Sequence, residues 1–159
     1  GVMEAALRSV SEILTGEELE KIEFKEIRGE QGIKRASLKL GERDIKVVVA
    51  HGLGNAQTIM EEIKSGKADY QFVEIMACPG GCIMGGGQPI KNSKIRGTID
   101  VRRKRAEAMY SIDEKSKIRK SHENPILKQI YSEYIGVPGG HKAHELLHTT
   151  YSRKEKYNI

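Results

Sequence analysis

Met3, Ala6, Leu7, Val10, Ile13 and Leu14 recur at helical spacing, which predicts an amphipathic helix over residues 2–14 that stops at Gly16. The period then shortens. Residues 22–28 and 33–40 read as strands, Gly41-Glu42-Arg43 as a hairpin turn, and the apolar run at 45–50 as a buried strand. His51-Gly52-Leu53-Gly54-Asn55 turns into a second helical face made by Ala56, Ile59, Met60 and Ile63, closed by Gly66. Residues 70–76 form the next strand, parallel to the previous one by the right-handed crossover rule. Beyond Pro89, residues 90–101 are polar and irregular, a connector, and from Arg103 the pattern is helical throughout. Ala106, Met109, Tyr110 and Ile112 share one helix. Asn124 caps another, with Pro125 at its first position and Ile126, Leu127, Ile130, Tyr131 and Tyr134 as its apolar stripe. Residues 136–140 break it, and Ala143, Leu146 and Leu147 mark a short last helix. The pattern predicts an α/β fold, a mostly parallel sheet flanked by helices, with a C-terminal all-helical appendage.

At 159 residues and 38% hydrophobic, the chain can bury one core, with room for an appendage. No apolar run is long enough to span a bilayer, and the N-terminus lacks a basic-then-apolar signal, so no membrane insertion is expected. Two cysteines without a secretory signal point to a reducing compartment, the cytoplasm. The net charge of +5 is concentrated at Arg102-Arg103-Lys104-Arg105 and around Arg153-Lys154-Glu155-Lys156. These clusters read as solvated faces that could steer an acidic partner. Nucleic acid is not expected, because no aromatics interleave with the arginines as stacking platforms.

One stretch, residues 74–89, stands apart: Glu74-Ile75-Met76-Ala77-Cys78-Pro79-Gly80-Gly81-Cys82-Ile83-Met84-Gly85-Gly86-Gly87-Gln88-Pro89. It holds both cysteines of the protein and five of its seventeen glycines, and it follows directly on a predicted strand. Glycine lets backbone approach a bulky group and adopt positive φ, and successive N–H groups in such a loop form a nest for anions, sulfides included. Two thiolates this close are soft ligands suited to iron or zinc. A flexible glycine loop with two unremarkable thiols is the alternative. Because the loop follows a strand, it lies where open α/β sheets place their sites.

Two other motifs carry less. Gly52-Leu53-Gly54 resembles the start of a dinucleotide-binding turn, but the third glycine position is Gln57. His144-Glu145-Leu146-Leu147-His148 matches the zinc-peptidase pattern. The extended form of that pattern requires Gly at 151 and His at 154, where Tyr151 and Lys154 stand. These histidines, with His141 and His122, read instead as helix-end or hydrogen-bonding residues.

Three blocks in order resemble the iron-only (FeFe) hydrogenases. Gly1-Val2-Met3-Glu4-Ala5-Ala6-Leu7-Arg8 is similar to the helix entry of the second lobe of their catalytic domain, residues 73–89 to their third cysteine signature, and residues 102–151 to their small-subunit region. Ala50 to Ala56 adds a fourth point of likeness. The resemblance implies a C-terminal lobe at residues 1–89, a connector at 90–101 and a small-subunit-like helical region at 102–159. It implies a metal-binding role for Cys78 and Cys82 at the H-cluster, which pairs a 4Fe–4S subcluster with a di-iron subcluster. Cys82 would also bridge to the di-iron subsite, where protons and electrons combine to hydrogen. Met76 would pack its thioether there, and Gly80, Gly81, Gly85, Gly86 and Gly87 would allow close approach and donate N–H groups to sulfur.

The resemblance further implies ferredoxin or a nicotinamide-linked protein as electron partner. The family's other two signatures, resembling TSCCPxW and MPCxxKxxE, do not occur in these residues. The chain is therefore expected to be a C-terminal fragment that relies on a missing N-terminal lobe, binds no cofactor alone and lacks hydrogenase activity alone. Two other readings stay open: a hydrogen-sensing relative without turnover, and a small 4Fe–4S module in which two chains each donate Cys78 and Cys82.

Overall fold

The computed structural model describes residues 1–17, 28, 32–153 and 155, which divide into two compact units, Gly1–Arg119 and Lys120–Ile159. The strand expected at 22–28 lies outside the described residues except for Arg28.

In the first unit, helix α1 (Val2–Thr15) buries Met3, Leu7 and Ser11, a spacing of four that keeps one face inward. Gly16 ends it in the left-handed region, where its N–H donates to Glu12 O at 2.8 Å. Strands β1 (Ile33–Leu40) and β2 (Arg43–His51) form an antiparallel hairpin running from Ile33 opposite Ala50 to Leu40 opposite Arg43. The turn needs a positive φ at Gly41, +61°. Helix α2 (Leu53–Lys64) then crosses over, and β3 (Phe72–Met76) pairs parallel to β2 from Val47 opposite Phe72 to His51 opposite Met76. The sheet order is β1-β2-β3. Among the described residues it is mixed rather than mostly parallel, because a tight two-residue turn can only join neighbours running in opposite directions.

β2 is the middle strand and is covered on both sides. Val47 and Val49 pack with Met3, Leu7 and Leu38 on the α1 face, while Val48 and Ala50 pack with Ile59 of α2 on the other. That is why its apolar residues run without alternation. Its last residue, His51, is buried as well.

The stretch expected to be irregular at 90–101 contains a short helix, α3 (Ser93–Thr98), capped by the Asn92 side chain, which accepts from Ile95 N at 2.9 Å. None of its residues is buried, so the apolar pattern could not reveal it. Helix α4 (Val101–Lys115) starts earlier than the expected Arg103, because Asp100 caps it by accepting from Arg103 N at 3.0 Å.

A charged network ties α1 to α4. Glu4 and Arg8, one helical turn apart and both buried, pair at 3.0 Å. Arg8 also grips both oxygens of Asp113 on α4, at 2.8 and 2.9 Å. Arg28 donates to Glu4 at 2.6 Å and lies 4.6 Å over the Tyr110 ring, and Arg119 donates to Asp113 at 2.8 Å. Buried charges are tolerable only when paired and hydrogen-bonded, and here each carboxylate meets more than one guanidinium.

In the second unit, a 3-10 turn (Ser121–Glu123) leads to α5 (Pro125–Ile130), capped by Asn124 Oδ1, which accepts from Ile126 N at 3.0 Å. The helix widens into a π-helical turn (Tyr131–Ile135) before Gly136 ends it at φ +90°. Helix α6 (His141–Leu147) follows.

The hydrogen bond from Arg8, followed by that from Arg119, holds the Asp113 carboxyl well below the usual carboxylate range. A depressed carboxylate adds stability above its unfolded-state pKa, about 4, and loses it as pH falls below that value. Asp113→Asn is expected to cost about 2 kcal/mol, the order for hydrogen bonds to charged groups. Chemical denaturation at pH 7 and pH 3 checks this: the gap between wild type and variant should narrow at the lower pH.

Candidate functional site

The site begins where the parallel register ends. Met76 lies beside His51, and Gly52 N–H donates to Met76 O at 2.7 Å, so β2 and β3 deliver both side chains to one edge of the sheet. Residues of even number on β3 and odd number on this end of β2 share the α1 face, which places Glu74, Met76, Val49 and His51 together.

The cysteine loop turns back at once. Gly80 and Gly81 take φ of +82° and +75°, consecutive left-handed residues that bend the chain into a 3-10 turn, Gly81–Met84. Gly81 N–H donates to Cys78 O at 2.9 Å and Gly85 N–H to Cys82 O at 3.2 Å. Gly81 also packs closely: a Cβ there would stand 2.6 Å from Met76 Sδ, so the Met76 side chain would have to shift. Gly85 lies against the first thiol, since its Cβ would sit 3.6 Å from Cys78 Sγ. Gly87 has a positive φ of +86°, whereas Gly86 has neither a positive φ nor a close neighbour. Both cysteines are free thiols, Cys78 half-buried and Cys82 exposed.

Helix α4 braces this loop. Arg105 donates to Ile83 O at 2.9 Å and to Pro89 O at 2.5 Å, and the Arg102 stem passes 2.7 Å from where a Gly80 Cβ would be. Arg103 and Lys104 face away and pair with Glu107. The basic cluster expected to form one solvated face is thus divided, with positions 102 and 105 turned inward one helical turn apart. Only the three-residue spacing within the cluster hinted at this.

Behind Cys82 lies a cleft of about 220 Å³, lined among others by Met76, His51, Glu74, Lys34 and Arg102. Lys34 and His51 are 8% and 5% exposed. Burial lowers the Lys34 pKa, with Glu74 pulling the other way. Burial, then the charges of Lys34 and Arg102, pushes the His51 pKa down, so its ring is neutral at pH 7. Its Nδ1 is buried without a hydrogen-bond partner among the described residues. His51, Lys34, Glu74 and Arg102 were not singled out as site residues by sequence pattern, because only the fold brings them to one cleft.

The second histidine motif is a local pair. His144 Nδ1 and His148 Nδ1 are 2.9 Å apart in a T-shaped ring contact, and both residues are exposed. Each is the other's hydrogen-bond partner, in keeping with a hydrogen-bonding role.

A family model described as iron only hydrogenase large subunit, C-terminal domain, matches residues 1–86, and one described as iron hydrogenase small subunit matches residues 99–154. The chain belongs to the iron-only hydrogenase family. It is 42% identical over 156 residues to the NADP-reducing hydrogenase subunit HndD of Solidesulfovibrio fructosivorans, covering 98% of this chain and 26% of that protein. It is 43% identical over 153 residues to iron hydrogenase 1 of Clostridium pasteurianum, covering 96% and 27% respectively. Protein NAR1 of Arabidopsis thaliana is 34% identical over 153 residues, 95% of this chain and 31% of that protein.

Among solved structures, a variant of the FeFe-hydrogenase HydA1 from Chlamydomonas reinhardtii superposes with a TM-score of 0.72 at 40% identity, over 95% of this chain and 44% of that one. The chain thus spans about a quarter of the length of the two hydrogenases above. No helix among the described residues is long and apolar enough to cross a membrane. One further relative is a periplasmic hydrogenase large subunit.

Gly81→Ala is expected to destabilise the fold by about 1–3 kcal/mol, combining a left-handed backbone penalty with displacement of Met76. Adding Met76→Ala should recover the steric part only, so thermal denaturation of single and double variants separates the two costs.

Proposed function

We propose that this chain forms the C-terminal part of an iron-only hydrogenase catalytic domain, with residues 1–89 as its second lobe, 90–101 as connector and 102–159 as the small-subunit-like region. The observation that carries this reading is the pairing of two free thiols, on a loop shaped by left-handed glycines, with a cleft behind the second. The donor set suits iron: two soft sulfurs as free thiols, with no side chain on Gly85 beside Cys78 Sγ.

In this reading Cys78 and Cys82 would be the residues that hold the iron–sulfur part of the H-cluster, with Cys82 the one nearer its di-iron part. When bound, that H-cluster supplies the electron exchange and proton reduction that interconvert hydrogen with protons and electrons. The chain's own residues bind and shape. Met76 fills the cleft wall with a polarizable thioether. Gly80, Gly81, Gly85, Gly86 and Gly87 keep the loop free of side chains near the sulfurs. Arg105 fixes the loop ends by its two carbonyl contacts. Four thiolates hold an ordinary 4Fe–4S cluster and these residues offer two, so the remainder comes from another lobe of the same domain. Ferredoxin or a nicotinamide-linked protein is the electron partner in this reading, and the free thiols suit the cytoplasm.

Likeness to NAR1, and to probable cytosolic Fe–S cluster assembly factors at 33–34% identity, supports a second reading, a relative without hydrogen turnover. The higher identity to the hydrogenases favours the first.

Anaerobic iron–sulfide reconstitution, read by iron content, visible absorption and apparent mass, is the test. The chain alone is expected to take up no stable 4Fe–4S cluster and to evolve no hydrogen. With the lobe supplying the remaining thiolates, iron uptake should appear and be lost on Cys78→Ser or Cys82→Ser. A stable cluster on a doubled mass of this chain alone would instead establish a self-contained module. Hydrogen evolution by the assembled protein separates a hydrogenase from a relative without turnover.

A further inference from the structure

His51 ends the most buried strand of the fold, and no side chain among the described residues satisfies its ring. The backbone around it is fully tied: His51 N–H donates to Gly32 O at 2.8 Å, and Asn55 Nδ2 donates to His51 O at 2.7 Å. The ring is therefore held in place by packing at a rigid strand end, not by a hydrogen bond at Nδ1. Its Nε2 lies 3.9 Å from where a Cβ on Gly81 would stand, on the cleft that Cys82 and Met76 also line.

A neutral imidazole carries one N–H and one bare nitrogen. On Nδ1 the proton would be a buried donor with no acceptor and would incur the full desolvation cost of that donor. On Nε2 it faces the cleft. The ring is thus a donor aimed past Gly81, from a wall that already carries Lys34 and Arg102.

We propose that His51 is a positioning residue for the site, its Nε2–H donating across the cleft to the sulfur-based group held at Cys82 and so raising that group's reduction potential. This depends on the reading of Cys78 and Cys82 as cluster ligands. The physical reason is that a hydrogen bond to sulfur favours the more negative, reduced form, and outer-shell donors tune iron–sulfur potentials in this way. The charges of Lys34 and Arg102 act in the same direction and that of Glu74 against them. The glycine at position 81 leaves the Nε2 edge of the ring open, since a Cβ there would stand 3.9 Å from that nitrogen.

The test is a redox titration, followed by absorbance and electron paramagnetic resonance, of the assembled holoprotein as wild type, His51→Gln and His51→Phe. Gln keeps a side-chain N–H, whereas Phe keeps ring volume and loses both nitrogens. The midpoint potential should move to a more negative value in His51→Phe and lie near wild type in His51→Gln. Should His51→Phe fail to load, resonance Raman spectra of the wild type and His51→Leu, which has no side-chain N–H, in H2O and D2O provide the second reading. The wild type should show a deuterium shift in its Fe–S stretches larger than one lacking the imidazole donor. Equal potentials in all three proteins, equal displacement in both variants, or equal deuterium shifts would overturn the proposal alone. A wild type that takes up no iron, or that keeps its iron when Cys78 and Cys82 are both serine, would overturn it together with the functional reading.

Discussion

The first unit depends on the burial of β2 from both sides. Val47 and Val49 are sealed by α1, and Val48 and Ala50 by α2, so the middle strand has little freedom to slide. A one-residue slip would swap its two faces and place each valine against the wrong helix. Because β3 follows the same register, that constraint reaches the site: His51 and Met76 emerge as neighbours, and the cysteine loop starts from a fixed point. A rigid strand end is a better platform for a glycine-rich loop than the loop could provide for itself, since glycine retains more conformational freedom than any other residue.

Charge organises the other side of the cleft. The network of Glu4, Arg8, Arg28, Asp113 and Arg119 holds α4 to α1, and α4 in turn braces the loop through Arg102 and Arg105. The arginines therefore have two distinct duties. Some neutralise buried carboxylates, and others use long apolar stems and forked donors to pin backbone carbonyls. Near Cys82 the cleft wall is of mixed charge, with Lys34 and Arg102 beside Glu74 and the buried His51 ring.

Much was legible before any coordinates. The helix at 2–14 was readable because one face of it is buried at regular spacing, and the strand at 45–50 because an unbroken apolar run needs cover on both sides. The glycine-rich turn after β3 was legible too, since runs of glycine mark the left-handed positions that Gly80, Gly81 and Gly87 adopt. Helix α3 was not, because it buries nothing and is signalled only by the Asn92 cap. The mixed sheet was misjudged because the parallel crossover dominated the pattern, although the short turn at Gly41 already required an antiparallel pair.

What the sequence by itself determined is local: periodicity, caps, left-handed turn positions and the chemistry of two thiols. Those properties depend on neighbours within a few residues, and one chain records them directly. Only the tertiary structure decided that Lys34, His51, Glu74 and Arg102 share a cleft with Cys82, and that half of a basic cluster points inward. These residues come from separate elements, and their meeting is set by strand register and by the charge network between helices. Neither leaves a periodic trace in the sequence, because each depends on pairings between positions tens of residues apart.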